Sequence, residues 1–184
     1  MVKETTSLDI EDEINKYHVE KKRQLFITSD VDEWMVDDFR KKMLYLETKS
    51  KNPIMVVIDS YGGDEYGMFA MYDIIRNSNC KVITCCNGKA MSAASLLLAA
   101  GDDRIMTSNS VVMIHEGWES LEHYSNRLIS EAEEVKRLED LYKKLMQKHT
   151  KLDNVFFKKM VGKNIYLTPE QCKKLNIIDN ILGE

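Results

Sequence analysis

No stretch of this sequence is apolar for long enough to cross a bilayer. The longest such run, Ala93 to Ala100, is broken by Ser95 and falls far short of the roughly 20 residues a spanning helix needs. The first residues, MVKETTSLDIEDEINKYHVEKK, lack the apolar centre of a secretory signal. A cytoplasmic protein that does not enter a membrane is expected. Cys80, Cys85, Cys86 and Cys172 form no C-x-x-C pair, which excludes the usual thiolate zinc pattern; no metal and no cofactor are expected. These cysteines read as small buried side chains in a reducing compartment. The basic residues are scattered and the net charge is -4, which argues against nucleic-acid binding. No internal repeat and no low-complexity tract occur. No G-x-S-x-G is present, so an α/β-hydrolase nucleophile elbow is not indicated.

What is present suits one globular domain: 184 residues, 43% hydrophobic and 30% charged. Residues 1–22 are polar and read as a flexible arm or a short helix, and residues 23–184 as the domain. RQLFITS (23–29) reads as a strand. Asp30 or Asp32 can cap a helix through EWMVDDFRKKMLYLETKS, whose Trp34, Phe39, Met43, Leu44 and Leu46 lean to one side. IMVVIDS (54–60) is nearly all apolar, the mark of a strand covered on both faces, and a helix follows through MFAMYDIIRNS. CKVITCCNG (80–88) is a second buried strand, with GKAMSAASLLLAAG (88–101) continuing as helix. DRIMTS and VVMIHEG supply two short strands. This order predicts an α/β fold with buried parallel strands and right-handed crossover helices, whose sites form where strands end. Residues of about 120–150 carry Leu128, Ala132, Val135, Leu138, Leu141, Leu145 and Met146 at helical spacing, a long amphipathic helix that must bury its stripe against a neighbouring subunit or the chain itself. Near the C-terminus, Thr168 and Pro169 open a short helix before a final strand.

Three features then converge. Ser92 lies just beyond a strand, near a helix start; His115 closes the strand VVMIH; Gly62–Gly63 closes another. A serine attacking an amide needs a base, which neutral imidazole supplies with its ordinary pKa of ~6.5. The oxyanion formed needs convergent backbone N–H groups, which glycines and a helix start provide. Singly, each feature has a plain structural reading: a packing serine, a structural histidine, a turn.

DSYGGDEYGMFAMYDII, GKAMSAASLLLAAG, NSVVMIH and YLTPEQCKKLNIIDNIL together resemble the successive signature blocks of the Clp protease proteolytic subunit, the ClpP-like serine peptidases, over about Arg23 to Leu182. The resemblance implies the ClpP/crotonase-like fold, with Ser92 as nucleophile and His115 as general base. It also implies that the Gly63 and Ala93 N–H groups form the oxyanion hole, with Gly62 as the first glycine of the pair. The long helix matches the family's handle, which implies a homo-oligomer of heptameric rings stacked into a tetradecamer around a chamber. A polypeptide substrate and a Clp-type ATPase unfoldase as partner follow from the same resemblance.

The sequence departs from the family pattern in three places. Asn164 stands where the family has its third catalytic residue, an aspartate; an asparagine oxygen can accept the Nδ1–H bond but supplies no charge, which predicts a weaker or conditionally active enzyme. Glu116 should point away from the site, and Asp153 is a remote alternative. EGWESLEHY replaces the family's glycine-rich stretch after the histidine, with Trp118 covering the site or packing between rings. The arm lacks a match to the family's axial loops, which puts ATPase docking in doubt. Three other functions fit parts of this pattern: a catalytically inactive ring subunit, a phage capsid or scaffold maturation protease, and a crotonase-type acyl-CoA enzyme.

Overall fold

A computed structural model of the chain describes residues 7–117 and 125–183. Trp118 and the rest of the replaced stretch to residue 124 lie outside the described residues. The elements run α1 (Ser7–Tyr17), a π-helical turn (His18–Lys22), β1 (Gln24–Ile27), α2 (Glu33–Lys49), β2 (Ile54–Ser60), α3 (Glu65–Arg76) and β3 (Val82–Met91). They continue with α4 (Ala93–Ala99), β4 (Asp103–Thr107), β5 (Val111–Ile114), α5 (Ser125–His149), α6 (Asn154–Met160), β6 (Ile165–Leu167), α7 (Pro169–Lys174) and β7 (Asn180–Leu182).

Five strands lie in the order β1-β2-β3-β4-β7, all parallel, with helices between them in sequence. This is the expected α/β architecture. β2 is less enclosed than its apolar run suggests. Its residues alternate between buried and half-buried, because one face is sealed by the core and the other only partly. Local capping follows the sequence closely. Asp32 accepts the Met35 N–H at the start of α2, and Thr168 and Gln171 form a reciprocal capping box with Pro169 in the first turn of α7. On α2 the inward face is Val36, Phe39, Met43 and Leu46; Trp34 is 83% exposed and Leu44 58%, so these two lie off the face that periodicity assigns them.

The largest difference lies in β3. The apolar pattern ends the strand at Gly88, but it runs on through Lys89, Ala90 and Met91, and helix begins only at Ala93. Its first half, Ile83–Cys86, pairs with β4, and its last three residues pair with β5. Gly88 sits at this parting with φ of 117°, and a Cβ there would meet the Asp59 carboxylate at 2.6 Å, so only glycine fits without displacement. A strand that changes neighbours mid-course cannot be read from apolar periodicity, because both halves look alike in sequence. α4 is buried at every residue from Ala93 to Ala99 and packs on β3 between α3 and α5. Its alanines are what permit that approach. The long helix is observed as α5; Leu138 and Met146 of its stripe are buried within the chain, whereas Ile129 is 69% exposed. α6 and β6 have no counterpart among the elements expected from sequence. Among the described residues no helix is long and apolar enough to cross a membrane.

Candidate active site

Ser92 follows the last residue of β3 and is the N-cap of α4, with φ 51° and ψ −123°. This is a conformation few non-glycine residues adopt, stored strain of about 1–3 kcal/mol that the surrounding packing must hold. The bend lifts the side chain clear of the sheet at a strand-to-helix corner. No G-x-S-x-G announces it, because here the glycine permitting the close turn comes from another strand end. Gly62 backs directly onto the corner, where a Cβ would lie 2.7 Å from the Met91 oxygen and 2.9 Å from the Ala93 nitrogen.

The β3–β5 register brings the histidine to this serine. Met91 stands opposite Met113, and the Ser92 N–H donates to the Met113 carbonyl at 2.9 Å, two residues before His115. His115 Nε2 lies 2.8 Å from Ser92 Oγ, within hydrogen-bond reach. β6 completes the arrangement from the other side. It pairs antiparallel with β5 as far as Ile114 opposite Ile165, so the next positions along the two strands are His115 and Asn164. Both border one open cleft with Glu116, Gly117, Gly162 and Lys163. Asn164 is exposed, and no hydrogen bond joins it to His115 among the described residues. The contact expected between its oxygen and the second ring nitrogen is therefore absent, although the strand register brings the two together.

Gly63 and Ala93 line the cleft beside Ser92 and His115. The Val31 N–H donates to the Gly62 oxygen at 2.7 Å and the Asp64 N–H to the Val31 oxygen at 2.7 Å, so this bridge uses the groups on either side of the Gly63 N–H and leaves that N–H out. Ala93 opens α4, where the first amides have no partner within the helix. A Cβ on Gly63, which has φ of 145°, would lie 2.5 Å from the Val31 oxygen. The arrangement can receive a carbonyl oxygen between two backbone donors while a hydroxyl attacks its carbon.

A family model described as Clp protease matches residues 9–184, nearly the whole chain. The chain belongs to the Clp protease family. It is also 32% identical over 169 residues to a Deinococcus radiodurans protein, "ATP-dependent Clp protease proteolytic subunit", covering 89% of this chain and 82% of that one. The parallel sheet and its helices agree with membership of this peptidase family.

The structure assigns the alternative acids to other contacts. The Glu116 carboxylate accepts the Gly162 N–H at 3.0 Å, and Asp153 caps α6 by accepting the Phe156 N–H at 2.8 Å. Neither serves the imidazole. Lys89 pairs with Asp59 at 2.7 Å and lies over the Tyr61 ring; the Asp59 bond holds its ammonium above its ordinary pKa. All four cysteines are buried and unpaired as disulfides, and burial pushes the Cys86 and Cys172 thiols up to about 12, which makes them inert rather than nucleophilic. Among the described residues no group of three or more His, Cys, Asp or Glu is placed to hold a metal ion.

Sequence pattern does not reveal the wall of the cleft. Glu65, Met68, Glu139, Tyr142, Lys143 and Met160 complete it, drawn from α3, α5 and α6. A usable signal exists for Tyr142. It follows Leu138 by four residues, so it shares the inward face of the long helix.

Proposed function

We propose that the chain is a serine endopeptidase of the Clp type, cleaving polypeptides through an acyl-enzyme. The 2.8 Å approach of His115 Nε2 to Ser92 Oγ carries this reading. Ser92 Oγ attacks the scissile carbonyl carbon as its proton passes to His115 Nε2. The Gly63 and Ala93 N–H groups hold the oxyanion. When the tetrahedral species collapses, the C–N bond breaks and His115 returns the proton to the leaving amine. Water, deprotonated by His115, then attacks the ester and releases Ser92. Asn164 is the group available to steer the imidazole, without the charge an aspartate would add. The crotonase-type alternative needs no serine–histidine pair, so the contact between these two residues favours the peptidase.

The handle-like helix α5, with Ile129 exposed, supports assembly with further copies into stacked seven-membered rings that enclose the sites. The relative's name, an ATP-dependent Clp protease proteolytic subunit, supports a Clp-type ATPase as the partner that delivers substrate. Incubation with a fluorophosphonate followed by mass spectrometry tests the chemistry. An adduct on Ser92, absent in Ser92→Ala, is expected. The lack of a hydrogen bond between Asn164 and His115 favours a second reading, a ring subunit that assembles without cleaving. No adduct in the native chain and none in Asn164→Asp would select it.

A further inference from the structure

Ser95 is fully buried in α4, yet its hydroxyl has two partners. Its Oγ donates to the Ser92 carbonyl oxygen at 2.6 Å and lies 2.8 Å from the Tyr142 hydroxyl. A serine hydroxyl carries one proton, so with that proton on Ser92 O the second contact runs the other way, Tyr142 O–H donating to Ser95 Oγ. The Ser95 N–H also donates to Ser92 O at 2.9 Å. A hydroxyl bonding to the carbonyl three residues back is ordinary in helices. A tyrosine from another helix completing the chain is not part of that local habit.

We propose that Ser95 and Tyr142 are positioning residues that aim the Ala93 N–H and hold Ser92 in its strained backbone geometry, thereby tying the site to helix α5. This rests on reading Ser92 as the nucleophile. The Ser92 carbonyl and the Ala93 N–H belong to one planar peptide group and point in opposite directions. Pinning the oxygen on the buried side therefore aims the N–H at the cleft. It also fixes ψ of Ser92, held at −123°. Burial raises the Tyr142 phenol above its ordinary pKa, which keeps it a donor throughout the working range. Tyr142 itself lines the cleft beside Ser92 and Ala93, so a displacement of α5 reaches this peptide plane directly.

Tyr142→Phe removes one oxygen and keeps the ring; Ser95→Ala removes the relay. With a fluorogenic peptide, each variant is expected to lose about tenfold in kcat with KM within about twofold. The double variant is expected to lose no more than either single, because the two hydroxyls act as one chain. A packing role alone would lower the melting temperature and leave kcat per labelled site intact. Native kcat in Tyr142→Phe, or losses that multiply in the double variant, would overturn the proposal. If neither the native chain nor Asn164→Asp takes fluorophosphonate, the peptidase reading fails, and the coupling is read from hydrogen exchange at the Ser95 amide. Exchange should be faster in Tyr142→Phe; an unchanged rate rejects the coupling.

Discussion

Gly62 backs onto Ala93 with no room for a side chain: a Cβ on Gly62 would lie 2.9 Å from the Ala93 nitrogen, and its φ of 105° is itself costly for any other residue. Gly62→Ala must push the serine corner away or strain its own strand end. Since losing one oxyanion donor costs about 100- to 1000-fold in kcat, a loss of at least roughly 100-fold is expected, with the fold retained. Peptide hydrolysis and circular dichroism on the same sample check both halves.

The strain at Ser92 gives a second expectation. At φ 51° and ψ −123° glycine is at ease and alanine is not. Both Ser92→Gly and Ser92→Ala abolish labelling, but the glycine variant should be more stable than the alanine variant by about 1 kcal/mol. Chemical denaturation of the pair measures this. Equal midpoints would mean that the corner is not strained.

Asn164→Asp places a carboxylate at the position that β6 brings opposite the end of β5. A negative charge there stabilises the imidazolium formed as Ser92 loses its proton. In a related triad the reverse exchange costs roughly 10000-fold, part of it through the tautomer, so a rise in kcat of roughly ten- to a thousandfold is expected. Steady-state kinetics on the two chains decide it. No rise would show that the side chain does not reach the ring.

His149 supplies a pH dependence unrelated to catalysis. Burial, reinforced by the positive charges of Arg76, Lys148 and Arg104, holds its imidazole down at about 4, while Nε2 meets the Tyr72 hydroxyl at 2.7 Å. The unfolded chain takes up this proton near pH ~6.5 and the folded one only near 4, so folded stability falls as pH drops through that window. Allowing for partial exposure of the ring, the loss is on the order of 2 kcal/mol. Urea titrations at pH 7 and pH 4.5 should show it, and His149→Gln should flatten it.

Much of the fold and the site is legible in the amino-acid sequence. The caps at Asp32 and Thr168, the run of buried strands and the long helix follow from local pattern, because each is decided by residues within a few positions of one another. Ser92, His115 and Gly63, which the structure brings to one cleft, can be picked out as candidates because serine chemistry calls for a nucleophile, a base and backbone donors together. The continuation of β3 past Gly88 is not legible, since it depends on β5 arriving as a new neighbour. Nor is β6, which has three residues and exists only by pairing with β5. The bond from Ser95 to Tyr142 spans 47 positions, a separation at which periodicity says nothing. In sequence, Ser95 is a packing residue for that reason.

His115 leaves the end of β5 and Asn164 leads into β6, and these strands pair with each other while only β5 touches β3. His115 and Asn164 thus ride on one two-stranded cassette, clipped to the strand that leads into Ser92 by three residue pairs. Exchange of that cassette between relatives would transplant the imidazole together with whatever stands behind it, and leave Ser92, its strained corner, Gly63 and Ala93 in place.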